Sequence, residues 1–175
     1  MTYSVMAGVT NLGYANFIES NQLPEQMFIM FVDKRAYDGD KMLNPFNFEK
    51  HQLLEASIIT NNVHYPATPI TNTSTSGKER EFYEFFLKNT GADHFNSQAV
   101  NISYEEYNTK GYFILAFDRT ASRNNRFTRH SMDHGPLSIN LRRDGDTPHA
   151  LQVIVYASYS DMIDFDGSSV ATGIL

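Results

Sequence analysis

The sequence predicts an all-β protein in which antiparallel strands form a two-sheet sandwich with one short inserted α-helix. The composition favours strands, since 13 Phe and 10 Tyr occur among 175 residues. Short, dense apolar runs recur between turn signals along the chain. These runs do not alternate with helical patterns, so a parallel sheet built from βαβ units is not expected. Long loops between the strands favour a jelly roll, which is one such sandwich.

The first half of the chain holds five strand candidates. They are residues 3–9, 14–18, 27–32, 53–59 and 63–66. The run at 27–32 has no polar break, which fits a strand buried on both faces. Asn61 and Asn62 tolerate positive φ and predict a hairpin turn. Pro66 and Pro69 are expected to end regular pairing after this hairpin.

One helix is predicted from Lys78 to Asn89. Ser76 and Glu79 have the spacing of a capping box at its start. Gly91 stands where a C-terminal cap is expected. Three phenylalanines at helical spacing form an apolar face that would pack on a sheet. These are Phe82, Phe85 and Phe86.

The second half of the chain predicts three more strands and a long polar loop. The strands are residues 112–117, 137–141 and 151–159. A short turn is possible at residues 104–107. The polar segment 119–135 is predicted to be a surface loop.

Length and composition bound the class of protein. We expect one jelly-roll domain over residues 1–166 and a tail over residues 167–175. The sequence has no Cys, which excludes disulfides and thiolate metal sites and fits a reducing, intracellular setting. We see no secretory signal and no apolar run long enough to cross a membrane, so no membrane partner is expected.

No motif indicates catalysis or a cofactor. His130, Asp133 and His134 could share a metal on a helix, but Gly135 follows directly and the context favours a polar loop. The Asp38-Gly39-Asp40 sequence resembles part of a calcium loop but lacks the later Glu. There is no nucleophile elbow and no glycine-rich phosphate loop. We therefore predict a protein that is not an enzyme and holds no cofactor.

The positive charge is concentrated in one segment. Residues 119–143 contain six arginines and a single acid, although the chain as a whole carries a net charge of −6. Such a segment could contact an acidic neighbouring subunit, contact phosphates, or simply be solvated. We favour a protein contact over nucleic acid. The six are Arg119, Arg123, Arg126, Arg129, Arg142 and Arg143.

Four motifs in register resemble one known family. Residues 31–48 carry F-V-D-x-R-A-[FY]-x-G-D followed by L-N-P-F-N-F, and residues 111–120 resemble G-Y-x-L-F-A-F-D-L-T. Residues 135–141 resemble G-x-L-x-[IL]-x-[LV], and residues 153–166 resemble V-I-V-Y-A-E-F-D-N-x-I-E-I-D. Together they resemble the second half of the double jelly-roll major capsid proteins of Polinton/Maverick-type elements and their adintovirus relatives.

The resemblance implies a structural coat protein located in a virion, with no catalytic residues. In that family each chain has two jelly rolls, and three chains form a pseudo-hexagonal capsomer. This sequence matches only the second jelly roll, so we expect either a homo-oligomer, a trimer or larger, or assembly with a companion jelly-roll domain. The arginine-rich segment departs from the family pattern.

We expect intersubunit contacts at two loops, residues 33–41 and 119–135, and at tyrosines in polar segments, since Tyr is common at interfaces. The rival hypothesis is a lectin-like module that binds a ligand without catalysis. It would need a concave patch of exposed Tyr and Asn or Asp. The candidate contact residues are Arg35, Tyr37, Asp38, Tyr104, Tyr107, Arg123, Arg126 and Arg129.

Overall fold

Eight strands form the framework of the part of the chain that the structure describes. The computed structural model describes residues 1–18, 22–71, 80–91, 100–120, 134–145 and 149–159, with only the backbone for residues 14–18. The strands are β1 (Thr2–Val5), β2 (Tyr14–Ile18), β3 (Gln26–Asp33), β4 (Leu53–Thr60), β5 (Val63–Thr71), β6 (Leu115–Asp118), β7 (Leu137–Arg143) and β8 (Leu151–Ser158).

The strands pair into two four-stranded antiparallel sheets. The first sheet has the order β1-β8-β3-β6, and the second has the order β2-β7-β4-β5. Apart from the β4–β5 hairpin, neighbours in each sheet are distant in sequence, as in a jelly roll, where Greek-key connections pass the chain between two sheets. The predicted antiparallel jelly-roll sandwich is confirmed.

The described residues contain three short helices rather than the single one predicted. They are α1 (Lys34–Tyr37), α2 (Glu81–Thr90) and α3 (Tyr104–Thr109). Of these, α2 corresponds to the predicted helix and ends at Gly91, which has φ +75° as a left-handed cap requires. The proposed capping box at Ser76 and Glu79 lies outside the described residues.

The turn of the β4–β5 hairpin was predicted correctly, but the expected end of strand pairing at the two prolines was not. Asn61 and Asn62 have φ of +50° and +62°. However, β5 continues through Pro66 and Pro69 to Thr71, with an irregular register opposite Ala56 and Ile58 of β4. This is possible because β5 is the outer strand of its sheet, where a missing N–H on the free edge breaks no ladder hydrogen bond.

The β3 strand alternates, whereas the sequence predicted burial on both faces. Met27, Ile29 and Phe31 are fully buried between the sheets, but Phe28 and Met30 on the opposite face are only half-buried. The continuous apolar run is therefore divided between the core and the outer surface of the first sheet, because successive side chains of a strand point to opposite faces.

An aromatic cluster closes one end of the sandwich. The ring of Phe113 lies 5.0 Å from Tyr107 of α3, 5.8 Å from Phe82 of α2 and 6.2 Å from Phe31 of β3, measured between centroids. All four side chains are buried. The cluster thus joins the first sheet to two helices through large apolar surfaces in tilted and edge-on contacts.

Replacing Phe113 with Ala should cost about 3–5 kcal/mol of unfolding free energy, because a fully buried ring leaves a cavity among three partners. Phe46→Ala is the matched control, since Phe46 is 75% exposed and its loss should change stability by less than about 0.5 kcal/mol. Denaturant unfolding of both variants measures this. Equal losses would contradict the assignment of Phe113 as the centre of the cluster.

Candidate interaction surface

Residues 33–48, which begin at the end of β3, form a hydrogen-bonded loop that contains α1, and the loop predicted at residues 33–41 lies within it. Asp33 caps α1 by accepting a hydrogen bond from the Arg35 backbone N–H at 2.9 Å, and its carboxylate pairs with the Arg35 guanidinium at 2.7 Å. Lys34 and Asp38 form a further ion pair at 2.8 Å. The Arg35 guanidinium holds the pKa of Asp33 below its usual range.

Two side-chain turns present the exposed apolar residues of this loop. Asp40 Oδ1 accepts a hydrogen bond from the Met42 N–H at 2.9 Å, and Asn44 Oδ1 accepts one from the Phe46 N–H at 3.0 Å. In each case the residue two positions after the acceptor is the apolar one. Met42 is 90% exposed and Phe46 is 75% exposed. The backbone is therefore fixed while the apolar groups face outward.

Phe48 anchors the end of the loop to the core. Its N–H donates to the Gly111 carbonyl at 2.9 Å, and its carbonyl accepts from the Phe113 N–H at 3.1 Å. This parallel bridge brings the exposed Tyr112 beside the loop. We call the surface formed by Tyr37, Met42, Phe46 and Tyr112 the apolar loop surface; its four side chains are between 45% and 90% exposed.

Three predicted contact residues lie on or next to this surface. Arg35, Tyr37 and Asp38 are exposed, as an intersubunit contact requires. Arg35 and Asp38 are also engaged in the ion pairs that hold α1. Their charges are thus partly neutralised within the chain, and the apolar neighbours are the stronger candidates for contact.

Tyr107 does not belong to the surface, and its prediction as an exposed contact was wrong. Its side chain is 2% exposed, and its hydroxyl donates to the Ile114 carbonyl at 2.9 Å. Burial raises the pKa of Tyr107. The reason is α3, whose capping box pairs Ser103 with Glu106 and turns the polar segment into a helix with one buried face.

Tyr104 is half-buried and is occupied by contacts within the chain. Its ring meets Tyr83 edge-on with centroids 5.6 Å apart, and the guanidinium carbon of Arg80 lies 4.8 Å from its centroid. The cation over the ring face is a favourable arrangement. Tyr104 therefore helps to fix α2 against α3.

The arginine-rich segment is only partly described. Arg123, Arg126 and Arg129 lie outside the described residues, so their predicted contacts stay predictions. Arg142 pairs with Glu55 at 2.9 Å. Arg143 is buried and donates from Nε to the Val9 carbonyl at 2.8 Å and from Nη2 to the Gly145 carbonyl at 2.9 Å. Contrary to the idea of one basic loop, both are strand residues with partners inside the protein.

The metal hypotheses receive no support where they can be examined. Of His130, Asp133 and His134, only His134 is described, and it is exposed. In the candidate calcium loop, Asp38 forms an ion pair with Lys34, and Asp40 accepts a hydrogen bond from the Met42 N–H. Within the described ranges, no group of three or more metal-ligating side chains occurs. In the same part of the chain, no helix has the length and apolar character needed to cross a membrane.

The fold and this surface together define a jelly-roll protein with a hydrogen-bonded loop that exposes apolar side chains. No protein-family model matches the chain, and no solved structure matches it. It is similar to an uncharacterized protein of Caenorhabditis elegans, with 24% identity over 154 residues. The match covers 87% of this chain but 36% of the relative, so this chain spans about a third of the relative's length.

Gly111, whose carbonyl is bonded by the Phe48 N–H, lies close to the side chain of Asn47. It has φ +79°, and a Cβ added there would lie 2.1 Å from Asn47 Oδ1. We expect Gly111→Ala to lower the unfolding free energy by more than Gly39→Ala. Gly39 also has positive φ, at +99°, but nothing lies within 4 Å of its added Cβ, so its variant carries only backbone strain, about 1 kcal/mol. Equal losses in denaturant unfolding would contradict this expectation.

His51, just after the loop, should make stability depend on pH. Burial is the main cause that lowers its pKa, with Arg143 acting in the same direction and Glu49 and Asp33 opposing. Because the folded chain disfavours the imidazolium, protons bind the unfolded state first as pH falls through about 6.5, and the free energy of unfolding decreases.

The test compares denaturant unfolding at about pH 7.5 and about pH 5.5, on either side of the ordinary histidine pKa. His51→Asn should reduce the difference, and Asn suits the φ of +47° at this position. The same change at the exposed His64 is the control and should leave the difference as in the wild type, since His51 is retained. An unchanged difference in His51→Asn would refute the role of His51.

Proposed function

We propose that this protein is a non-catalytic structural subunit of a virus-type coat, or a derivative of one, that self-associates through the apolar loop surface. The supporting observation is the combination of a hydrogen-bonded loop backbone with Met42 and Phe46 held outward. Exposed apolar side chains on a fixed backbone lose little conformational entropy on association.

The magnitudes agree with an interface. Burying a Met or Phe side chain contributes about 1.5–3 kcal/mol, so Met42 and Phe46 together contribute on the order of 3–6 kcal/mol when covered. The exposed ion pairs around α1 contribute about 0–1 kcal/mol each. Apolar contact, with the charged rim setting orientation, is therefore the main source of association energy in this proposal.

The motif resemblance to double jelly-roll coat proteins supports the same proposal. The jelly-roll topology agrees with the fold that this resemblance implies. The longer relative adds that a chain of this kind also occurs as about a third of a larger protein. We propose accordingly that the unit works in an assembly, as a homo-oligomer or beside a companion domain, and that this assembly is a virion shell.

The deciding experiment is the mass of the purified chain by light scattering across a concentration series. The wild type should form trimers or larger assemblies. The double variant Met42→Ser, Phe46→Ser should raise the concentration needed for association by at least about tenfold, which corresponds to a loss of about 1.4 kcal/mol. Val63→Ser, which removes a 65%-exposed side chain at a distant hairpin, is the control and should behave as the wild type.

A wild type that stays monomeric at all concentrations would overturn the proposal. So would association that is equally strong in the double variant. Circular dichroism of each variant shows whether the fold is retained, so that a loss of association is not confused with unfolding.

A further inference from the structure

The outer face of the first sheet carries a second apolar surface, separate from the loop. Phe28 and Tyr156 face each other across β3 and β8 with ring centroids 6.1 Å apart. Met30 and Ile154 are paired beside them in the same register. Tyr156 is 62% exposed, and the other three are half-buried. We call these four residues the apolar sheet face.

Among the described residues, the outward positions around these four carry no exposed charged side chain. The outward positions around the four apolar residues are Thr2, Ser4, Gln26, Gln152 and Ser158, all neutral. Ser4 Oγ donates to Gln152 Oε1 at 2.6 Å, so even the polar groups are partly satisfied by each other. Asp118 of β6 also lies at an outward position, but it is 2% exposed and accepts hydrogen bonds from Thr120.

The outer face of the second sheet carries more polar and charged groups, although Ser57 is fully buried there and Ile59 also lies at an outward position. Arg142 pairs with Glu55 across β7 and β4 at 2.9 Å, and Asn140 Nδ2 donates to Ser57 Oγ at 3.3 Å. Ser57 Oγ also lies 3.4 Å from His64 Nδ1. An antiparallel sheet that faces water normally has such a polar outer side. The first sheet departs from this pattern.

We propose that the apolar sheet face is a contact between two copies of this chain, packed face to face. Copies that each carry a net charge of −6 repel one another, so a stable contact needs a region where no like charges are brought together. In a two-fold contact each patch meets itself, and an uncharged patch is compatible with its own copy. No charge has to be desolvated at this face, which removes the main cost of burying polar surface.

The size of the face indicates a weak contact. Two strands of eight residues and two of four, at a spacing of about 4.8 Å and roughly 3.4 Å per residue, give an area of roughly 400 Å². Stable complexes bury about 800 Å² per partner. The sheet contact therefore operates together with the loop contact, since two weak contacts in one assembly reinforce each other.

The test places a charge on the face without removing buried groups. Tyr156→Lys should weaken self-association by at least about tenfold in light scattering, since a lysine would have to be buried against its symmetry mate. Tyr156→Phe keeps the apolar ring and should associate as the wild type does. Ser138→Lys, at an outward position of β7 in the other sheet, is the control for an added charge and should also have no effect.

Cross-linking identifies the occupant of the face. Because the chain has no cysteine, Tyr156→Cys and Ser138→Cys each introduce a single thiol. A short bismaleimide should give dimers with Tyr156→Cys and not with Ser138→Cys. Equal cross-linking, or unchanged association in Tyr156→Lys, would overturn the sheet contact, and a wild type that stays monomeric would overturn it as well.

The variants distinguish failure of the loop contact from failure of the sheet contact. If the double variant at Met42 and Phe46 associates as the wild type does while Tyr156→Lys does not, the sheet contact stands and the loop contact is wrong. The opposite result leaves the loop contact and rejects the sheet contact. A variant with both changes should be monomeric if both contacts operate.

Discussion

The contact of Phe113 with three other aromatic rings is the constraint on which the rest of the structure depends. It joins β3, α2 and α3 in one cluster through Phe31, Phe82 and Tyr107. The backbone of Phe113 is also held in place, because its N–H donates a hydrogen bond to the carbonyl of Phe48. The end of the loop is thus attached to a buried part of the core, and core packing helps to set the position of the apolar loop surface.

This attachment suits the contact role that we propose for the loop. Loops that carry binding residues are most effective when a rigid scaffold positions them. Here the scaffold acts at both ends: Asp33 caps α1 where β3 finishes, and Phe48 pairs beside Gly111. Between them, Asp40 and Asn44 each use a side-chain oxygen to hold the backbone before an exposed apolar residue. The polar residues of the loop are its internal supports, and the apolar residues are what it presents.

Much of the framework could be predicted from sequence because the strands are dense apolar runs bounded by strong turn signals. Asn61-Asn62 and Gly91 are examples, since each needs positive φ that these residues tolerate. The site was harder to predict. Tyr107 was read as exposed from its polar neighbours, although Ser103 and Glu106 carry the capping-box spacing that indicates a helix. Met42 and Phe46 were missed because exposure of an apolar residue depends on tertiary packing, and no local pattern distinguishes them from core residues such as Phe31.

The burial that the sequence predicts for β3 differs from the burial observed in the single chain. Its unbroken apolar run predicts burial on both faces, but in the single chain Phe28 and Met30 remain half-buried, and only Val32 on that side is fully covered, next to α1. Propensity cannot account for the apolar outer positions, because Thr or Tyr would suit a solvated strand equally well. β7, in the centre of the other sheet, places Ser138, Asn140 and Arg142 at its outward positions. The apolar outer positions of β3 are therefore the observation on which the proposed sheet contact is based.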